Sequence, residues 1–335
     1  MRPTGVSECP PRSGNARLPG SGFRQRRGRA SRIPGPSPAA GVAGLRVAIT
    51  GATGFTGRRV LRRLLERGHE VRALVRPPTA RLGVPQVSGV PGDLGEPLAL
   101  ADLLAGCEAV VCVAPIVSHH VASMIEAVEA AGVGRAVFFS STSLHSRLAT
   151  AARDGWLRAE DRVRRAATGW TLLRPTMIYG DEGDRNLSRL IRFVARTPLI
   201  PLPGGGRALV QPVHVEDVAT AAADALESER SVRQAYDLPG GAADPLRDLV
   251  AFVRTEVGSR APIVALPIRP LAAASAVWTS LGLPPRIRRE QVLRLDEDRA
   301  FSADPARRDF GFAPRGWREG LRDEARRLRE IGWIR

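Results

Sequence analysis

Apolar residues recur along this chain in two alternating periods. "LRVAIT" (45–50) is a short β-rich run. After it, Val60, Leu61, Leu64 and Leu65 mark one face of a helix, with Arg58, Arg59, Arg62 and Arg63 outside that face. Gly68 ends the helix. Further strands are predicted at "EVRALV" (70–75), within "PQVSGVPGDL" (85–94), at "EAVVCVAPI" (108–116), at "RAVFFSS" (135–141) and at "GWTLLRPTMIYG" (169–180). Helices over 97–106, 118–131 and 153–167 fall between them. Strands separated by helices of this length predict an α/β fold, a parallel sheet with helices on both faces.

Beyond residue 180 the texture changes. "NLSRLIRFVAR" (186–196) reads as an amphipathic helix, "TPLIPLPGGGRALVQPVHV" as loop and short strand, 216–228 as a helix and "QAYDLPG" (234–240) as a late strand. From Asp244 onward come helices and proline-rich turns. The division expected is a nucleotide-binding domain over 45–243, with 181–212 contributing to its substrate side, and a smaller C-terminal substrate lobe over 244–335.

Composition changes the picture mainly at the start. Of the 335 residues, the first 44 hold eight arginines against one acid, in a Gly/Pro/Ser/Arg-rich stretch without apolar periodicity. Such a segment cannot bury enough to offset its ordering, so residues 1–44 are expected to be a disordered, dispensable tail. It lacks the apolar core of a secretory signal, and its prolines and glycines would break the helix of an organellar transit peptide. A start codon placed too far upstream is the competing reading. No nucleic-acid partner is expected, although the net charge is +16. Cys9, Cys107 and Cys112 show no metal spacing and suit a reducing cytoplasm. Cys112, inside an apolar strand, reads as a small hydrophobe. The longest apolar candidate, 270–285, is too short to span a bilayer.

The first candidate chemistry is "ITGATGFTGRRV" (49–60), with Gly51, Gly54 and Gly57 between a strand and an amphipathic helix. Glycines there let backbone N–H groups approach a pyrophosphate at a helix N-terminus, which points to dinucleotide binding. Tight strand–helix packing accounts for Gly57 better than for Gly51 or Gly54. No acid stands between Glu70 and Asp93 to take a ribose 2′-hydroxyl, whereas Arg76 ends the second strand and Arg58 follows the last glycine. That favours NADP(H), with NAD(H) as the alternative.

"TGATGFTGRRVLRRLLERGHEVRALVR", "GDL", "VFFSST", "WTLLRPTMIYG" and "PVHVEDVA" fall in the order and spacing of the extended and atypical short-chain dehydrogenase/reductases. That group includes NAD(P)-dependent epimerase/dehydratases and NmrA-like proteins. "LRLDEDRAFSADPARRDFGFAPRGWREGL" also resembles their closing segment, so the likeness spans about residues 45–325. It implies a Rossmann-type doubly wound parallel sheet. It further implies that Gly51, Thr53, Gly54, Phe55 and Gly57 hold the pyrophosphate and that Asp93 and Leu94 flank the adenine. Ala114 and Pro115 would line the nicotinamide ribose, and Pro175, Thr176 and Ile178 would meet the carboxamide. Thr142, third residue of "SST", would be the family's active-site Ser/Thr.

The chain departs from the family at its acid, a tyrosine four residues before a lysine. If Glu160 is the glutamate that follows this pair in relatives, the pair becomes Ala152 and Trp156. No lysine exists anywhere, and the two tyrosines, Tyr179 and Tyr236, lie outside this helix. His145, near the expected nicotinamide pocket, suits acid/base work by its intrinsic pKa, against its plainer reading as a loop histidine. His119 and His120 lack further metal ligands. His214 matches a structural segment, and Arg158 would contact ribose or phosphate without serving as an acid.

Two function classes follow. One is an NAD(P)H-binding oxidoreductase acting on a small-molecule substrate, anionic or amphipathic. The other is a non-catalytic dinucleotide-binding sensor or assembly subunit of the NmrA-like sort. Nucleotide-sugar epimerase/dehydratase activity ranks behind both.

Overall fold

The structure, a computed structural model, describes residues 44–77, 84–117, 120–273 and 289–334. The 1–44 tail, apart from Gly44, and His119 therefore lie outside the described residues.

Seven strands form one sheet. In chain order they are β1 (Arg46–Thr50), β2 (Glu70–Val75), β3 (Val87–Pro91), β4 (Ala109–Cys112), β5 (Arg135–Phe139), β6 (Gly169–Pro175) and a late strand, Gln234–Leu238. Across the sheet the late strand lies at one edge, followed by β6, β5, β4, β1, β2 and β3, and every pairing is parallel. The chain builds outward from β1 to β3, then returns to start the other half at β4. The crevice between β1 and β4, at their C-terminal ends, is where doubly wound sheets bind ligands.

Both faces of the sheet are apolar, as parallel strands require. Val47 and Ile49 of β1 face one core with α1 (Gly57–Glu66) and α6 (Val215–Glu227). Ala48 faces the other, with α2 (Pro97–Leu104), α3 (Val121–Ala130) and α4 (Ala151–Arg165). On α1 the apolar face is buried as its spacing predicts. The arginines outside that face are cross-links as well as solvated groups. Arg62 reaches Glu216 at 2.6 Å, and Arg67, one residue past the helix, pairs with Asp224 and Glu227 on α6.

Two predicted strands are shorter than their apolar runs. β4 stops at Cys112. The run 169–180 splits: the Thr176 N–H still donates to the Leu238 carbonyl, and the chain then leaves the sheet to pair Ile178–Tyr179 (β7) with Val213–His214. That departure starts a third core. Leu187 and Ile191 of α5 (Leu187–Arg196), Leu249 and Val253 of α7 (Leu246–Glu256), and Trp317, Leu321 and Leu328 of the helix Trp317–Glu330 pack together. Trp317 anchors it by donating its indole N–H to Asp244 at 2.7 Å. Between these segments, Ala306 and Phe312 return to the first core. No helix among the described residues is long and apolar enough to cross a membrane.

Candidate functional site

The glycine loop sits at the C-terminal end of β1, and its three glycines do different things. Gly51 has φ +75°, and a Cβ there would lie 2.9 Å from the Ala114 nitrogen at the neighbouring strand end. A Cβ on Gly57 would meet the Gly51 carbonyl oxygen at 1.9 Å, so Gly57 serves close packing of loop and helix. At Gly54, an exposed position, the Gly51 oxygen at 3.2 Å is the sole neighbour of a Cβ. That glycine leaves room for something outside the protein. The N-terminus of α1 has no side-chain cap and no acid in its first turn. A helix dipole without a side-chain cap or an acid at its start, beside a bare glycine, fits a pyrophosphate.

A cavity of about 1010 Å³ opens beside this loop. Thr53, Gly54, Phe55 and Thr56 form one wall, and Ser140 to Ser143 at the end of β5 form another. Pro175 to Ile178, the loop 183–186, Val210, Gln211, Arg294, Leu295 and Arg299 close it. Thr142 begins a 3₁₀ turn capped by Ser141 Oγ, which accepts from the Ser143 N–H; its own hydroxyl donates to the Pro175 carbonyl at 3.3 Å. Trp156 of α4 reaches the same cavity, while Ala152 is exposed and does not line it.

The remaining sequence-derived candidates lie around this space. Leu94, Ala114 and Pro115 line a separate apolar hollow of about 20 Å³ with Cys112. Arg76 and Asp93 meet at 3.8 Å at the ends of β2 and β3, and Arg76 is 80% exposed. Arg58 turns the other way. Its Nη2 donates to Asp181 at 2.9 Å, and Arg59 stacks over Phe55 and binds the same carboxylate. Burial would raise the Asp181 carboxyl, but the Gly183 N–H and these two arginines hold it below the ordinary value. His145 lines a smaller hollow of about 60 Å³ that shares Thr142, Ser143, Arg294 and Arg299 with the main cavity. Its Nε2 lies 3.1 Å from Asp237 Oδ1, at the end of the late strand. His214 accepts from the Glu216 N–H, and burial and Arg315 lower its pKa. Cys112 is buried, its thiol pushed up to about 12. The described residues hold no group of three metal-ligating side chains.

Sequence reasoning missed the network behind Thr142. Glu160 of α4 accepts from Ser140 Oγ at 2.6 Å and from Arg174 Nε and Nη2 at 2.7 and 2.6 Å. Arg174 Nη1 also lies 3.6 Å from Asp237, so one arginine links Glu160 to the carboxylate that holds His145. A second omission is Glu324, buried on the helix Trp317–Glu330 near Asp184, which lines the cavity.

A parallel doubly wound sheet with this loop and cavity at its switch point defines a dinucleotide-binding protein. The family model described as NAD(P)H-binding matches residues 51–229. The chain belongs to that family, within the atypical short-chain dehydrogenase/reductase group its motifs resemble, and its cofactor is a nicotinamide dinucleotide. It is 29% identical over 324 residues to a 2-alkyl-3-oxoalkanoate reductase of Stenotrophomonas maltophilia, covering 83% of this chain and 98% of that protein. It is 28% identical over 297 residues to subunit 9 of the NADH dehydrogenase [ubiquinone] 1 alpha subcomplex of Arabidopsis thaliana mitochondria, covering 78% and 71%. The crystal structure of gox2253 superposes with a TM-score of 0.72 at 26% identity, covering 86% of this chain and 99% of that one.

Proposed function

We propose that this protein is an NADPH-dependent reductase of a small carbonyl compound, with its reaction centre at the Thr142 turn. The observation that carries the reading is the continuous cavity joining the bare Gly54 and the uncapped α1 to Thr142 and Trp156. Gly51, Thr53, Gly54, Phe55 and Gly57 would hold the pyrophosphate. Asp93, Leu94, Ala114 and Pro115 would take the adenine and ribose side, and Pro175, Thr176 and Ile178 the carboxamide. The cofactor, when bound, supplies hydride to the carbonyl carbon. Thr142 would hold the carbonyl oxygen, and the proton would come from water or from His145, whose ring Asp237 fixes. Reduction by hydride avoids the base near neutral pH that sugar oxidation needs, and a chain without lysine lacks the usual way to tune one. The Stenotrophomonas relative, named for the reduction of 2-alkyl-3-oxoalkanoates, supports a carbonyl substrate.

NADPH is preferred because Arg76 is exposed and only loosely held by Asp93. A charge-assisted hydrogen bond is worth ~1.5–3 kcal/mol, so Arg76→Ala should weaken NADPH binding roughly ten- to hundredfold. NADH binding should hardly change. Equal loss of both cofactors, followed by quenching of tryptophan fluorescence, sinks the preference. The reductase reading is checked by NADPH oxidation in the presence of 3-oxo acids, with His145→Ala losing turnover but keeping NADPH affinity.

Trp156 in the cavity, and the plant relative named as a subunit of an assembly, favour a second reading as a non-catalytic dinucleotide-binding subunit. It predicts tight NADPH binding with no oxidation across a panel of carbonyl compounds. Ordinary epimerase turnover on a nucleotide sugar, unaffected by replacing His145, overturns both.

A further inference from the structure

On the wall of the cavity away from the glycine loop, two arginines crowd one another. Among the described residues neither Arg294 nor Arg299 forms an ion pair within 4.0 Å. Arg294 Nη2 donates to Ser143 Oγ at 3.0 Å, and its Nε is buried without a partner. Arg299 Nη2 donates to the Arg294 carbonyl at 3.3 Å. Burial, and then the Arg294 charge, push the Arg299 guanidinium below its ordinary value, with Glu297 opposing.

The carboxylates nearby are engaged elsewhere. Glu297 accepts from Ser146 Oγ and from the Arg147 and Leu148 N–H groups, and Asp298 accepts from the Leu209 N–H. Of the other arginines close to the cavity, Arg58 and Arg59 pair with Asp181 and Arg174 with Glu160, whereas Arg185, exposed on the rim of the lining, forms no ion pair among the described residues. Two half-buried cations side by side repel, and an anion placed between them relieves both. Guanidinium groups suit an oxyanion above other anions.

The rest of the cavity says what carries that oxyanion. Met177, Ile178, Val210 and Leu295 line the same space, an apolar surface beside the two cations. We propose that Arg294 and Arg299 bind the carboxylate of an acid substrate whose alkyl body lies along these four side chains. This rests on the reductase reading for the place of the carbonyl. Ser143, which holds Arg294, follows Thr142 directly, so carboxylate and carbonyl belong to one short oxo acid.

Calorimetric titration of the full chain, with and without saturating NADPH, tests this without turnover. The probes are 3-hydroxyoctanoate, which cannot accept hydride, its neutral methyl ester, and UDP as a diphosphate. The acid should bind at least about tenfold tighter than its ester. Arg294→Gln and Arg299→Gln should each weaken the acid roughly ten- to hundredfold. NADPH affinity and Tm should stay put, which separates loss of the site from loss of fold. Arg294→Lys, keeping the charge but not the planar fork, should lose less than Arg294→Gln. No binding of the acid, equal binding of acid and ester, or acid binding indifferent to both glutamine variants overturns the proposal. So does UDP binding tighter than the acid through the same arginines, which would make this a nucleotide site. Failure of NADPH to bind sinks the reductase reading instead, while the titrations without cofactor still report on the arginines.

Discussion

Glu160 and Glu324 are the same residue type, buried to a similar depth, 3% and 1% exposed, one beside Ser140 and the other beside Asp184, both of which line the cavity. Around Glu160 stand a hydroxyl, the two N–H edges of Arg174 and, at 3.3 Å, Arg164. Burial alone would raise its carboxyl, but the Arg174 and Ser140 bonds and the two arginine charges bring it below the ordinary value. Among the described residues no cation pairs with Glu324; the groups that meet it are a second carboxyl, Asp184, and the Gly180 N–H. Burial, with Asp184 and Asp181 nearby, pushes its carboxyl up to about 10. One is a carboxylate at neutral pH and the other an uncharged acid. Depth does not decide the charge of a buried acid; the donors that meet it do.

The largest effect should come from breaking the satisfied site. Glu160→Ala leaves Arg174, itself 12% exposed, with only the 3.6 Å contact to Asp237. Stranding one member of a buried pair costs ~3–5 kcal/mol, which urea unfolding at neutral pH would read directly. A loss below about 1 kcal/mol would mean that water reaches the network and that the contrast with Glu324 is false.

The site without a cation predicts a gain. Because the folded-state pKa of Glu324 is raised, the unfolded chain ionises first, and stability falls as pH rises from about 4.5 toward about 10. Glu324→Gln keeps the shape and removes that ionisation. It should stabilise the fold by ~1–3 kcal/mol at pH 8 and converge with the unsubstituted chain near pH 4.5. Glu160 runs the other way. Its lowered pKa gives stability present above about 4.5 and lost as pH falls. An equal effect of Glu324→Gln at both pH values would show that the acid is already charged.

Neither carboxyl announced itself in the sequence, and the reason is distance along the chain. In the sequence Glu160 stands only as a helix landmark, because its donors come from Ser140, just past β5, and Arg174 on β6. Asp184, near Glu324, belongs to a loop far earlier in the chain. The same limit hid Arg294, inside a stretch legible only as the family's closing segment. Local pattern did better. β1, the glycine loop and α1 are contiguous, so period and glycine spacing sufficed, down to the packing role of Gly57. The run 169–180 shows where local pattern stops. It is apolar throughout, but Ile178 and Tyr179 find their partners at Val213 and His214, not in the sheet. His145 lines a hollow that shares Thr142 and Ser143 with the main cavity, and its partner Asp237, 92 residues away in sequence, could not be read from local pattern.

The smallest effect is the sharpest check on counting donors. Arg164 also touches Glu160, but at 3.3 Å and with its side chain 43% exposed. Its guanidinium lies 5.5 Å from the centre of the Trp170 ring, a second weak attachment. An i,i+4 pair whose cation is held only at its solvated end contributes ~0.3–0.5 kcal/mol, and a cation–π contact from the same half-exposed arginine about as much again. Arg164→Ala should therefore cost under ~1 kcal/mol, and the cost should shrink in high salt, because the Arg164 side chain itself faces water. Arg174→Ala should cost several times more and respond little to salt, since its bonds to Glu160 are buried. Equal losses for the two arginines would mean that net charge near Glu160, and not its buried hydrogen bonds, keeps it ionised. Glu324 would then need only a nearby cation, and Glu182→Arg, at a half-buried position two residues before Asp184, would lower its pKa as effectively as any direct bond.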